Sequence, residues 1–205
     1  MMKNFNRMIS LCLALVMCLS LSAFASAAPS VTTDGGSATS SVTLSSTTDG
    51  TSGGDPAATA MSVTIPTVLP IAVGTDGTVT TATDAKIVNN SYGAVKVNSV
   101  TIDAASGWNL TAFGDKSTLA HEKVDSNKFG FAMSIGNGVQ QATTSKDAAS
   151  QQLLASAIEG CYLSGCGDTS SNFATINYDA IVTPVSTAVT NAAVASILFV
   201  ISWDK

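Results

Sequence analysis

Few residues in this chain are of the kinds that carry chemistry, and they stand apart from one another. His121 is the only histidine, within His121-Glu122-Lys123. A zinc-protease helix needs a second histidine four residues later, and Asp125 stands at that position. A Ser-His-Asp or Cys-His device would have to be built on this one ring, in a charged stretch that reads as loop. The Gly-x-Ser-x-Gly elbow of hydrolases is absent. Gly136-Asn137-Gly138 lacks the third glycine and the following helix that a dinucleotide site requires. Two carboxylates such as Asp103 and Asp115 could hydrolyse a glycoside only at a set separation, and nothing distinguishes these two from the other aspartates. The expectation is a non-enzymatic protein with no catalytic residues, no cofactor and a solvated surface histidine.

Cys161 and Cys166 form the sequence Cys-Tyr-Leu-Ser-Gly-Cys. In an exported chain, two thiols this close are expected to close a small disulfide loop, with free thiols as the alternative. A metal would need further Cys or His ligands, and none is expected. Asp34, Asp49 and Asp76 each precede a glycine. Calcium takes about six to eight oxygens, usually with several carboxylates from one loop, and each of these steps offers a single carboxylate. They read as turns. The two tryptophans have two possible roles. Trp108 (in Trp108-Asn109-Leu110) and Trp203 could anchor a core, or they could be exposed rings that stack on the sugars of a wall polymer.

The positioning elements begin after an export signal. Residues 1–27 combine the basic Lys3 and Arg7, an apolar run over residues 9–21 and the small-x-small step Ala25-Ser26-Ala27. The run is shorter than the roughly 20 residues needed to span a bilayer. Cleavage would leave 178 of the 205 residues, with 7 positive and 14 negative groups and no arginine. That charge pattern excludes a nucleic-acid binder, since phosphate neutralisation depends on Arg and Lys, and it argues against a polybasic membrane-surface protein. The apolar run at residues 194–201 is too short for a second span. Residues 69–73 lack the Thr-Gly that covalent sortase attachment needs. The expected location is therefore extracellular or wall-associated, with a non-covalent hold on any surface.

Residues 28–60 are Ser, Thr, Gly, Ala and Asp with little to bury, and read as a flexible arm. Its exception is Val42-Thr43-Leu44, which alternates and could add to a sheet edge. From Met61 to Lys205 the texture becomes short β-type runs separated by turn residues. Strands are expected within residues 61–73, 78–81, 85–88, 95–102, 108–113, 128–135, 173–182 and 194–203. Val95 and Val97 share one parity while Val100 and Ile102 share the other, which predicts a bulge near Asn98-Ser99. In the last run Ile197, Phe199, Ile201 and Trp203 fall on one face with Leu198 and Val200 on the other, so a central strand covered on both sides is expected. Residues 147–158 place Ala149, Leu153, Leu154, Ala157 and Ile158 at helical spacing between Asp147 and Gly160, which predicts one short inserted helix. The fold expected is all-β, a single β-sandwich, immunoglobulin-like or related.

The step Gly107-Trp108-Asn109-Leu110, in a Ser/Thr-rich β-domain ending in an apolar strand with a second tryptophan, resembles the WxL-type surface domains of Gram-positive bacteria. In that family two such motifs belong to a β-rich domain that binds peptidoglycan non-covalently. The second motif would fall on Ile201-Ser202-Trp203, but Asp204-Lys205 follows where the family has leucine. The likeness extends over at most residues 61–205, and more loosely the chain is similar to small secreted surface proteins of clostridia-like bacteria. The resemblance implies a cell-wall-binding or adhesion module with peptidoglycan as partner and Trp108, Leu110 and Trp203 as contact residues. The alternative is a structural subunit of an extracellular fibre, with like subunits as partners and the arm adding a strand to its neighbour.

Overall fold

Short runs of β-branched and aromatic residues, cut by Gly, Asn and Asp, favour strands over helices because the turn residues recur before a helix can grow. The computed structural model of the chain describes residues 60–205. The expected signal, the turns at Asp34 and Asp49 and the run at residues 42–44 lie outside the described residues. Among the described residues the structure is nearly all β. In chain order the strands are β1 (Val63–Thr64), β2 (Ile71–Val73), β3 (Val79–Thr81), β4 (Lys86–Asn89), β5 (Val95–Ala104) and β6 (Asn109–Leu110). They continue with β7 (Lys128–Ile135), β8 (Gln141–Ala142), β9 (Ser150–Leu154), β10 (Tyr162–Leu163), β11 (Phe173–Val182) and β12 (Ala195–Trp203). A 3-10 turn at Lys116–Thr118 is the one helical element described.

One sheet has the order β1-β4-β11-β7-β6, with β8 also on β7. A second has the order β10-β5-β12, with β9 also on β5. β2 and β3 form a separate hairpin. Strand pairs are antiparallel except β6 with β7. Both larger sheets feed one apolar cluster: Ile87, Phe131, Met133 and Ile176 come from the first, and Val95, Val97, Val100, Ile102 and Leu163 from the second. Phe131 bridges two neighbours within it, lying 5.8 Å from the Phe129 ring and 6.1 Å from that of Tyr178. Burying each such side chain contributes roughly 1.5–3 kcal/mol, which makes this shared core the main source of stability. Tyr178 also uses its polar end. Its hydroxyl donates to the Pro70 carbonyl at 2.7 Å and accepts the Ala82 N–H at 3.2 Å, tying down the segments that flank the β2–β3 hairpin.

The parity change in β5 has the predicted cause. Val200 pairs with Ser99 and Ile201 with Val97, so Asn98 is the extra, exposed residue, and Val95, Val97, Val100 and Ile102 all reach the core. Two other expectations are overturned. The segment expected to be a helix contains strand β9 instead, paired with β5, and Asp147 sits at φ 55°, outside the extended geometry of a helix cap. The adjacent Leu153 and Leu154 mimicked a helical face because a second bulge lies there. Val100 pairs with Leu154 and Thr101 with Gln152, which leaves Leu153 as the added residue and lets both leucines turn inward. β12 is likewise not central. It pairs with β5 on one side only, and Leu198 (58% exposed) and Val200 (41% exposed) face outward. Its other face, with Ile197, Phe199, Ile201 and Trp203, packs against the core.

Candidate functional site

Residues 90–94 cross from the first sheet to the second, because β4 and β5 belong to different sheets. Asn89 at the end of β4 organises this crossover. Its side chain is fully buried, and its amide Nδ2 donates to the carbonyls of Gly93 (2.9 Å) and Ser164 (2.8 Å), while Oδ1 accepts the Ser91 N–H at 2.9 Å. Each partner would otherwise be a backbone group turned from solvent, and the one amide satisfies all three. Ser91, also buried, accepts the Ser62 N–H and donates to the Ser62 carbonyl, linking the crossover to the start of β1. Gly165 packs so tightly against the Tyr92 carbonyl that a Cβ there would overlap it. A Cβ at Gly93 would lie 3.0 Å from the Trp203 ring. Two glycines thus let the loop, the β10 end and the last tryptophan close on one another.

This closure displays an aromatic end of the second sheet. Lys96 on β5 pairs across to Tyr162 on one side and to Ser202 on the other, giving a row Tyr162-Lys96-Ser202 on the outward face. The Lys96 ammonium lies 6.0 Å from the Tyr162 ring centre and 3.4 Å from the Asp204 carboxylate. Tyr92 is 82% exposed and Tyr162 51% exposed, while the half-buried Trp203 lies against Gly93 on the core-facing side of the sheet. An exposed tyrosine ring presents a flat apolar face with few side-chain torsions to fix, suited to the C–H face of a sugar ring. The lysine adds a cation for a carboxylate, and its exposed pair with Asp204 is weak enough to exchange for a ligand.

The sequence-predicted residues fall at separate places. Trp203 lies at this end of the sheet, with its ring on the core-facing side against Gly93. Trp108 is half-buried against the core and its backbone N–H donates to the Ala105 carbonyl, beyond the opposite end of β5. With Val95 opposite Trp203 and Ala104 opposite Ala195, the two tryptophans stand about 30 Å apart along β5. They do not form one site. Leu110 is fully buried and cannot meet a polymer. The expected Cys161–Cys166 bridge is absent, and both are free thiols. Cys161 shares the parity of Leu163 and points into the core, which raises its pKa through desolvation, whereas Cys166 lies beyond the turn at Gly165 on the surface. His121 is exposed after the 3-10 turn. The Asp76 carboxylate accepts the N–H and hydroxyl of Thr78, as turn chemistry requires. Among the described residues no three His, Cys, Asp or Glu side chains converge as a metal cluster would. Sequence reasoning missed Tyr92, Lys96 and Tyr162. The one available signal was that Tyr92 sits inside a turn, where a large aromatic has nothing local to pack on.

Away from this end, Lys128 bridges Glu122 (2.9 Å) and Asp147 (3.4 Å), which raises its pKa. Asp125 accepts the Ser186 hydroxyl at 2.6 Å and the Ser186 N–H at 2.8 Å, and these bonds lower its pKa below the ordinary 3.8. A depressed carboxylate pKa stabilises the fold above the unfolded value and loses that contribution as pH falls through the folded one. The Ser186 amide resonance is therefore expected to stay constant from pH 7 to pH 5 and to move with a midpoint below 3.8. A midpoint above 3.8 in an NMR titration would refute the assigned contact.

Elsewhere a concavity of about 380 Å³ runs beside Ile65, Pro66, Val68, Pro70, Asp84 and Lys86, and carries no aromatic ring. No helix among the described residues is long and apolar enough to cross a membrane. No protein family, curated protein or solved structure matches this chain.

Proposed function

We propose that this chain is an exported, non-enzymatic cell-surface module that binds a wall polymer non-covalently through the aromatic end of its second sheet. The supporting observation is the pair of exposed tyrosines at this end, Tyr162 beside Lys96 and Tyr92 in the crossover loop that packs on Gly165. Peptidoglycan offers both chemistries that this surface would engage, namely sugar rings for the tyrosines and stem-peptide carboxylates for the lysine. The net negative charge of the exported form keeps affinity modest and dependent on the stacking contacts. The test is co-sedimentation of the chain from Ala28 onward with purified sacculi. Replacing both tyrosines with alanine is expected to weaken retention about tenfold or more, corresponding to about 0.5–1.5 kcal/mol per aromatic contact. Protein that stays wholly in the supernatant, or a double variant that binds unchanged, would refute this assignment.

The second reading is a structural subunit of an extracellular assembly. It is favoured by one observation, the long open edge of β12, since an unpaired edge accepts an added strand.

A further inference from the structure

β12 offers the longest strand edge left unpaired among the described residues. The other margins of the two larger sheets are formed by β1, β6, β8 and β10, of two residues each, by β9, of five, and by the part of β11 beyond its pairing with β4, whereas β12 has nine residues with one side unpaired throughout. Natural edges are usually protected by lysine, proline or an inward charge. The segment Ala-Ser-Ile-Leu-Phe-Val-Ile-Ser-Trp contains none of these. The backbone register fixes which groups are free. The Ala105 N–H donates to the Val194 carbonyl and the Asp204 N–H to the Ala94 carbonyl, so even-numbered residues of β12 bond to β5. Ile197, Phe199 and Ile201 consequently turn their N–H and C=O groups to the open side.

The order of side chains says what fits there. From Ser196 to Ser202 the strand reads Ser-Ile-Leu-Phe-Val-Ile-Ser, which is nearly the same in reverse. An antiparallel copy centred on Phe199 places serine opposite serine, isoleucine opposite isoleucine, and Leu198 opposite Val200. Every residue in the hydrogen-bonding positions of that register is odd-numbered, matching the free edge, and about ten backbone bonds would form. On the outer face the exposed Leu198 and Val200 of each copy would cover those of the other.

We infer that β12 is a homodimer edge, pairing antiparallel and two-fold with β12 of a second copy to make one continuous sheet. This pairing needs no wall polymer and leaves the tyrosine end free, so it stands or falls separately from the wall-binding proposal. Sedimentation equilibrium on the chain from Ala28 onward tests it. The native chain should show a monomer–dimer equilibrium. Leu198→Lys with Val200→Lys sets like charges opposite each other twice and should weaken the dimer about tenfold. Leu198→Lys with Val200→Glu sets opposite charges across the same two contacts and should recover most of that loss. Both positions are exposed, so the fold should tolerate either pair, and circular dichroism checks this. Val42→Asp with Leu44→Asp should change nothing. A strictly monomeric native chain at 100 μM, or a dimer indifferent to the lysine pair, would overturn the inference. So would a lysine-glutamate pair no better than the lysine pair. Assembly lost in the Val42 and Leu44 variant would overturn it in favour of strand donation by the arm.

Discussion

Replacing Asn89 with alanine is expected to lower the thermal midpoint by about 10 °C. The substitution removes three hydrogen bonds and strands the Gly93 and Ser164 carbonyls and the Ser91 N–H away from solvent. Net losses of about 1 kcal/mol per bond give roughly 3 kcal/mol, which for a domain of this size corresponds to that shift. Asn89→Asp separates hydrogen bonding from shape. The carboxylate can still accept from Ser91 but meets two carbonyl oxygens where the amide had donated. At neutral pH it should be more damaging than alanine. Its folded pKa would be raised, so the penalty should shrink as pH falls toward 4, where a protonated acid can donate one bond again. Scanning calorimetry of the three proteins at pH 7 and pH 4 checks both the size and the sign. A midpoint within 2 °C of the native chain for Asn89→Ala would show that the crossover is held by something else.

Gly160→Ala is the second large effect expected. Gly160 has φ +86°, and the place where its Cβ would stand is filled by the Ile135 carbonyl and the Gly138 backbone. Neither is a flexible side-chain end, so the turn after β7 and the approach to β10 would have to separate. The left-handed backbone costs about 1–2 kcal/mol for an L-residue, and the overlap adds to it, for a total of about 4 kcal/mol. Gly77→Ala provides the comparison. Gly77 has φ +76° but open space around it, so only the backbone cost of about 1 kcal/mol applies. Urea denaturation should rank Gly160→Ala well below Gly77→Ala. Equal midpoints would mean that the close packing of the two backbones is not a constraint.

Those two positions illustrate what the sequence makes legible. β7 and β11 follow from alternation and turn residues alone, and their observed limits equal the expected ones. The bulge at Asn98 was readable because a bulge leaves a parity change in the chain itself. The same device at Leu153 misled, because two adjacent leucines turned inward by a bulge have the spacing of a helix face, and only the pairing of β9 with β5 separates the two cases. β12 was misjudged for a related reason. Apolar residues on both faces of a strand normally mean cover on both, and a sequence does not reveal that Leu198 and Val200 remain exposed. The site was least legible. Nothing in the sequence sets Asn89 apart, while Tyr92, Lys96 and Tyr162 lie up to 70 residues apart and reach one end of β5 only because the crossover and β10 converge there. Trp108 and Leu110 carry the family-like motif, yet their burial gives them a structural task.

In the proposed function, the crossover and β10 bring the exposed Tyr92 and Tyr162 to one end of the second sheet, where they would meet a wall polymer. An amide-resolved NMR titration with soluble peptidoglycan fragments tests it most directly. Saturable shifts are expected, confined to Tyr92, Gly93, Lys96, Tyr162 and the residues around Trp203, with the amides near Trp108 and His121 unmoved. Shifts centred on Trp108 or His121, or none at millimolar fragment, would contradict it.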